Sequence, residues 1–439
     1  MTKRKGTEMM KKRKTGRVRV FGMIAASILF AAGILLTGVA WAAEKQELVV
    51  WHSKATLRGQ IWSKMVSEFN AKNPNIKVTA TYQGGYEQTV QKLTTAVAGN
   101  ATPDVAEIPQ TRGILEFAAS GKLLPIEDFM AKGDKDDFYE AALARYTVNG
   151  KLYAIPNAVS TSLLYYNADL FKEAGLDPNK PPQTWDDVVA YGKKLTRDTD
   201  GDGKPDKWGL LTHTTVNYFI FAMIFQNGGR LFDEKGNPAF NTPEAAEALQ
   251  FWSDLVHKHK IMPPLTHAAA NKLFVAGTGG MMYQSTSFIE TLDKGVGNRF
   301  VYKTAFFPKK KNWGTDVGGT ALGIFRSNPA REKAAYEFVK WMTDAERSAY
   351  WSENTGYIAA RKSSFKLPSH QKFLEKNSNN RTAGEQMPYA SVMPVTKGDN
   401  IIYKPFLTLI EKLEADPNVN IKKELDDIAR DCAAKLKEQ

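Results

Sequence analysis

The sequence predicts an α/β fold, and three consecutive stretches carry that reading. Residues 47–51 are a short β-rich run containing Leu48, Val49, Val50 and Trp51. Ile61, Met65, Val66 and Phe69 then recur at helical spacing until Asn73 and Pro74 stop the helix, and Ile76, Val78, Ala80 and Tyr82 alternate at strand period. Strand, helix, strand at this spacing is a βαβ unit, which calls for a mostly parallel sheet with helices on its faces.

Later elements keep to the same pattern. Thr184 caps a helix carrying Val188, Val189 and Leu195, and Thr242 with Pro243 opens another with Ala248, Phe251, Trp252 and Leu255 on one face. Asn328 and Pro329 start a third, with Ala335, Phe338, Val339 and Met342. Glycine breaks fall at 84–85, 228–229, 277–280 and 318–319, and none is long enough to be a flexible tether. If the chain of 439 residues forms two domains, short tight connections join them.

Charge excludes one class of partner. The net charge is +12, but residues 1–19 hold nine basic groups and one acid, and residues 20–43 hold none. The 59 basic and 47 acidic residues of the whole chain therefore leave 50 against 46 from Glu44 onward, a balance that needs no nucleic acid. The basic start, the uncharged apolar run and the small-residue ending Ala40, Trp41, Ala42 have the layout of a secretory signal peptide over residues 1–42, cleaved after Ala42. The alternative is an uncleaved anchor, because residues 20–43 are long enough to span a bilayer. Cleavage implies a periplasmic protein. The single cysteine, Cys432, excludes an intrachain disulfide and any multi-cysteine metal site.

No G-x-S-x-G elbow, phosphate-cradling P-loop, G-x-G-x-x-G or H-E-x-x-H occurs, so no catalytic residue is assigned and no cofactor is expected. Paired carboxylates leave no sequence signature, which keeps a secreted glycan hydrolase as an alternative. His257, His259 and His267 are better read as the close of a helix and its flank than as metal ligands. Asp198, Asp200, Asp202 and Asp206 occupy positions one, three, five and nine of a calcium-type loop with glycine at six. The twelfth position, however, is Gly209 where a bidentate Glu belongs, and Lys204 and Lys207 dilute the charge. An Asp/Gly turn before a strand near Trp208 is the preferred reading.

The stretch 157–176, with Asn157, Ser160, Ser162, Tyr165, Tyr166, Asn167, Phe171, Lys172 and Gly175, resembles the signature of the family 1 extracellular solute-binding proteins of ABC importers. Pro103 to Val105, Gly150 with Tyr153 and Pro156, Gly318 to Ala321, and Thr355 to Tyr357 resemble the same family in the same order. Trp51 to Ser53, the Tyr82, Gly84, Tyr86 spacing, and Pro181, Pro182, Thr184, Trp185 are most similar to its glycerol-3-phosphate-binding subgroup.

That resemblance implies two α/β lobes of type II topology with the ligand between them. It sets residues 43–155 with 319–357 as one lobe and 156–318 with 358–439 as the other, with chain crossings near 153–156, 316–319 and 355–357. It further implies a monomer that closes over a solute and engages the permease and ATPase subunits of an importer. A binding lobe fixed in the membrane as a receptor is the remaining alternative.

Carried over by the resemblance, the subgroup's ligand contacts fall on Tyr86, Gln110, Ser160, Trp185, Ser285, Gly319 and Tyr357. These types suit a polyol, since rings cover C–H faces while hydroxyls and an amide meet hydroxyl groups. Trp185, one residue past a helix cap, suits the core equally, and Tyr86 suits a surface turn. Two positions depart from the subgroup. Gln110 stands where it has Glu, and Thr408 where an ungapped count puts its phosphate-holding Arg, with Lys397 or Lys404 as substitutes. A buried dianion needs charge-assisted donors. The loss of the Arg therefore favours a neutral sugar or oligosaccharide over glycerol-3-phosphate or a glycerophosphodiester.

Overall fold

The computed structural model describes residues 45–110, 113–213, 218–393 and 395–438. The signal peptide and cleavage point expected over residues 1–42 lie outside them.

Strand β1 (Gln46–His52), helix α1 (Thr56–Lys72) and strand β2 (Ile76–Tyr82) form the βαβ unit that the spacing predicts. β1 pairs with β2 in parallel, from Gln46 opposite Ile76 to His52 opposite Tyr82. The predicted helical stripe is the face that α1 buries, with Ile61, Met65, Val66 and Phe69 joined by Trp62. Phe69 meets Phe338 edge-on at 5.1 Å, and a ring buried to this degree contributes about 2 to 3 kcal/mol. After α2 (Tyr86–Ala98), β3 (Val105–Pro109) joins the other edge of β1, also in parallel. α3 (Ile114–Ala119) and a short hairpin of β4 (Thr147–Val148) and β5 (Lys151–Leu152) lead to the long central strand.

That strand, β6 (Ala154–Asn167), has 14 residues and all are buried. Its first half pairs antiparallel with β10 (Val317–Ile324), which in turn pairs antiparallel with β3. Its second half pairs antiparallel with β8 (Gly279–Ser285) on one edge and β9 (Tyr302–Phe306) on the other. β7 (Trp208–Leu211) completes the path in parallel with β8, giving the order β2-β1-β3-β10-β6-β8-β7. The fold is thus a two-lobed α/β architecture. Its sheets are mixed, because the strands running through the middle, β6 and β10, enter antiparallel to the parallel pairs on either side.

Two cores flank β6: Leu163 and Tyr165 of its second half join Ala154, Ile155, Ala158 and Val159 in one, and Leu164 and Tyr166 belong to the other. One cluster gathers Leu48, Val50, Phe69, Ile108 and Phe338 around β1, β3 and β10, and it extends to Ile358, Ala360, Ala383 and Met387. The other gathers Leu164, Met223, Trp252, Met281 and Phe406 around β8 and its helices. These helices are α4 (Trp185–Leu195), α5 (Tyr218–Gln226) and α6 (Pro243–His257); α7 (His267–Val275) packs Ala270 and Phe274 into the first cluster, α8 (Pro329–Met342) and α9 (Ala345–Thr355) flank the first sheet, and α10 (Lys397–Ala415) and α11 (Ile421–Lys437) close the chain. The predicted caps do their work: the side chains of Thr184, Thr242 and Asn328 accept from the amides of Asp187, Ala245 and Arg331. Among the described residues, no helix is long and apolar enough to cross a membrane.

Where β10 crosses β6, Gly319 has a φ of +121°, and a Cβ there would lie 1.8 Å from the Ala158 carbonyl oxygen. Only glycine permits that approach of the two strands.

Candidate functional site

The carboxyl end of β3, the start of α2 and the crossing of β6 with β10 meet one another on the side that faces β8 and α5. Strand ends at such a change of order are where α/β sheets hold ligands. A cavity of about 470 Å³ lies there. Gln110 follows β3, Ser160 lies in β6, Gly318 and Gly319 lie in β10, and Tyr86 opens α2. Tyr357 enters behind Gly356, which ends α9 in the left-handed conformation. Ser285 reaches the same space from the end of β8.

The structure therefore brings six of the seven expected residues together: Tyr86, Gln110, Ser160, Ser285, Gly319 and Tyr357 all line this cleft. The Tyr86 and Tyr357 hydroxyls lie 3.2 Å apart, and the Gln110 backbone N–H donates to the Gly319 carbonyl at 3.3 Å. Three polar atoms of the lining, Gln110 Oε1, Arg145 Nε and the Tyr218 hydroxyl, are buried with no hydrogen-bond partner among the described residues. Buried groups of this kind are costly unless something else meets them.

Trp185 is the exception and a correction. The capping box between Thr184 and Asp187 fixes the start of α4 and turns the indole inward, where it stacks on Phe251 at 4.7 Å. Its Nε1 donates to Gln226 Oε1 at 2.9 Å, and the residue is 1% exposed. It is part of the second core and does not reach the cleft. Thr408 likewise is exposed on α10, and the residue of that helix that lines the cleft is Tyr403.

Sequence reasoning missed a second group of lining residues. Tyr218, Phe219 and Phe221 present one stretch of α5 to the cleft, and His213, His267, Gln284 and Arg145 complete it. Gln284 Nε2 donates to Asn271 Oδ1 at 2.8 Å, beside His213, whose ring centre is 4.4 Å from that of His267. Burial, helped by His267, pushes the His213 imidazole down to about 3 against the opposing hydrogen bond of Gln284, and burial also lowers His267. Both rings are neutral at pH 7. Arg145 pairs with Asp316 at 3.3 Å, both buried. Burial holds Asp316 above its ordinary range although Arg145 pulls it down, and the nearby Asp399 is raised by burial in the same way. Among the described lining residues, the one guanidinium is thus already matched by carboxylate.

Behind the lining lies a buried polar cluster. The Glu107 carboxylate, wholly buried, pairs with Lys54 at 2.8 Å. It accepts from the Ser53 hydroxyl at 2.6 Å, the Ser53 amide at 2.9 Å, Asn157 at 3.1 Å and Thr320 at 2.7 Å. Burial pushes this carboxyl up, but the Lys54 ammonium and the hydrogen bonds of Lys54, Ser53 and Thr320 outweigh it and hold it at about 2. The Lys54 ammonium also sits 5.5 Å from the centres of the Tyr86 and Tyr357 rings. The cluster ties β1, β3, β6 and β10 together directly under the two cleft tyrosines.

The Asp-rich loop between α4 and β7 brings carboxylate oxygens of Asp198, Asp200 and Asp206 within 4.8 Å of one another, without Asp202. The loop's own amides occupy them: Gly201 and Gly203 donate to Asp198 at 2.7 and 2.8 Å, and Thr199 donates to Asp206 at 2.9 Å. A turn accounts for these groups. His257 Nε2 lies 2.8 Å from the Leu413 carbonyl at the end of α6, away from His267 in the cleft wall.

A lining of rings and hydroxyls at the strand ends of a two-lobed α/β fold defines a binding protein for small solutes. Residues 64–381 match the family described as bacterial extracellular solute-binding protein, and the chain belongs to that family, whose members bind rather than catalyse. Over 414 residues it is 28% identical to the sn-glycerol-3-phosphate-binding periplasmic protein UgpB of Shigella flexneri, covering 88% of this chain and 92% of that one. The protein of the same name from Escherichia coli K12 is 27% identical with the same coverage. Among solved structures, the cyclic alpha-maltosyl-1,6-maltose binding protein of Arthrobacter globiformis superposes with a TM-score of 0.78 at 25% identity, over 90% of this chain and 99% of that one. UgpB of Mycobacterium tuberculosis in complex with glycerophosphocholine gives the same score and coverage at 24% identity, a likeness of fold.

Proposed function

We propose that the protein is the periplasmic solute-binding component of an ABC importer and that it captures a neutral carbohydrate in the cleft lined by Gln110, Ser160, Ser285 and Tyr357. The observation that carries the neutral ligand is the state of Arg145: its charge is met by Asp316 and faced by Asp399. A phosphate would have to compete with two carboxylates for that guanidinium. Tyrosine and phenylalanine rings beside neutral imidazoles, amides and hydroxyls suit sugar faces and sugar hydroxyls instead.

The lobes in this reading are residues 43–155 with 319–357 and residues 156–318 with 358–439. The division of β6 between two sets of partner strands supports a crossing there. Closure of the lobes about such strands is a known way to enclose a solute, and the closed form is what the permease and ATPase subunits would meet. Periplasmic location is supported by the family and by the names of the relatives.

The second reading is a glycerol-3-phosphate or glycerophosphodiester ligand. Beyond the names of the relatives, the unpartnered Nε of Arg145 favours it. A thermal-shift screen of the protein from Ala43 onward against sugars, polyols, glycerol-3-phosphate and glycerophosphodiesters separates the two. A ligand at about 1,000 times its dissociation constant stabilises the bound fold by roughly 4 kcal/mol. A neutral sugar is expected to raise the melting temperature and glycerol-3-phosphate to leave it unchanged; the reverse result overturns the neutral reading.

A further inference from the structure

Just past the end of β1, Lys54 buries a charge behind the cleft. Its side chain is 3% exposed, and its ammonium donates to Glu107 Oε1 at 2.8 Å and to Thr320 Oγ1 at 3.0 Å. A buried ion pair of this kind is often no better for stability than apolar side chains of the same volume, so stability alone does not account for it. The rings around the ammonium supply another reason. Tyr86, Tyr357 and Trp351 place their ring centres 5.5, 5.5 and 5.7 Å from Nζ, within the range at which a cation is drawn to a ring face. Tyr86 and Tyr357 line the cleft.

The local backbone does little to fix Tyr86. It opens α2 behind Gly84, with a φ of +102°, and Gly85, which occupies the cap position and has no side chain to anchor the turn. The ring is 39% exposed, and a side chain so placed has several staggered rotamers open to it. The arrangement observed is the one that brings the ring to Lys54 and the hydroxyl to that of Tyr357. Tyr357 feels the same charge. Burial pushes its phenol up, but the Lys54 ammonium and the Arg58 guanidinium, 5.2 Å from the ring centre, outweigh it and hold the phenol below its ordinary range. Arg58 is itself anchored on the Ser287 carbonyl at 2.7 Å and lies 3.4 Å from Glu290.

We propose that Lys54 is a positioning residue of the solute site: anchored by Glu107 and Thr320, its ammonium orients the Tyr86 and Tyr357 rings and brings their hydroxyls together at the cleft. The inference rests on the carbohydrate reading above for what those rings meet, and it adds a residue that acts on the solute only through them. Glu107 belongs to the same device, because the carboxylate fixes where the ammonium stands.

Two variants test this. Lys54→Met/Glu107→Gln removes both charges and keeps both side-chain volumes, so no buried charge is left unpaired and the fold is retained; Lys54→Arg keeps the cation and its counter-charge. Crystal structures are compared with the wild type, and each protein is dialysed against an equimolar mixture of glucose, galactose, mannose, xylose, maltose, cellobiose and sorbitol, the retained species being read by mass spectrometry. In the double variant the Tyr86 and Tyr357 hydroxyls are expected to separate beyond hydrogen-bond reach and sugar affinity to fall about tenfold, roughly 1.4 kcal/mol, at a melting temperature close to that of the wild type. Lys54→Arg is expected to hold both the contact and the affinity. If the hydroxyl contact or the wild-type affinity survives in the double variant, or Lys54→Arg loses as much as the double variant does, the ammonium does not position the rings and the proposal is wrong while the carbohydrate reading stands. If the wild type retains none of the sugars, the carbohydrate reading falls, and the ring positions in the crystal structures decide the role of Lys54 by themselves.

Discussion

Arg145 and Asp316 meet at 3.3 Å inside the wall of the cleft, 171 positions apart in sequence, and their pairing sets the charge that a solute encounters. Removing the carboxylate should change the ligand class. In Asp316→Asn the guanidinium is left short of a counter-charge, so glycerol-3-phosphate or inorganic phosphate should raise the melting temperature of the variant and not of the wild type. Breaking one side of a buried pair costs about 3 to 5 kcal/mol, which the same melting curves will show as a lower starting point. Equal insensitivity to phosphate in both proteins contradicts this role for Asp316.

Two buried groups, His213 and Glu107, should each withdraw stability in acid. His213 is neutral in the folded protein, held at about 3 against 6.5, so the unfolded chain binds the extra proton and stability falls as pH drops below 6.5. At pH 4.5 this amounts to about 3 kcal/mol. Glu107, at about 2 against 4.5, contributes stability that is complete above 4.5 and is lost as pH falls from there toward 2, again about 3 kcal/mol. Glu414, raised by burial to about 7 against 4.5, gains stability over the same fall in pH, so the His213 stage is read from the difference between urea midpoints of wild type and His213→Gln between pH 6.5 and 4.5. A variant with the wild-type pH profile refutes the assignment.

Trp185→Ala should damage the core and spare the site. Loss of a stacked, buried indole costs about 3 to 5 kcal/mol, while sugar affinity measured well below the melting temperature should match the wild type. Trp185→Phe keeps the ring but leaves Gln226 Oε1 without its donor, at a cost of about 1 to 3 kcal/mol. A Trp185→Ala protein that stays folded and loses binding would restore the tryptophan to the cleft.

The sequence was legible where local spacing decides the outcome. The stripe of Ile61, Met65, Val66 and Phe69 and the caps Thr184, Thr242 and Asn328 depend on neighbours a few residues away, and α1, α4, α6 and α8 begin and bury their faces as that spacing requires. β6 was harder, because Asn157, Ser160, Thr161 and Ser162 interrupt its apolar run; Asn157 is buried against Glu107, the Thr161 hydroxyl accepts from Gln386, and the Ser162 backbone N–H donates to Thr315. The cap at Thr184 was correct, yet the direction of Trp185 was settled by Phe251, which lies 66 positions on. Arg145, His213, Gln284 and Tyr403 carry no motif and converge from separate elements. Their one sequence signal was residue type, which does not specify convergence.

The central claim is that the cleft holds a neutral carbohydrate through groups such as the Gln110 side-chain amide, whose Oε1 has no partner among the described residues. Calorimetric titration of the sugar found by thermal shift, and of glycerol-3-phosphate, into wild type and Gln110→Ala tests it most directly. The account predicts heat of binding for the sugar alone and an affinity about tenfold lower in Gln110→Ala, the value of one lost hydrogen bond. Tighter binding of glycerol-3-phosphate than of any sugar, or an unchanged sugar affinity in the variant, would contradict it.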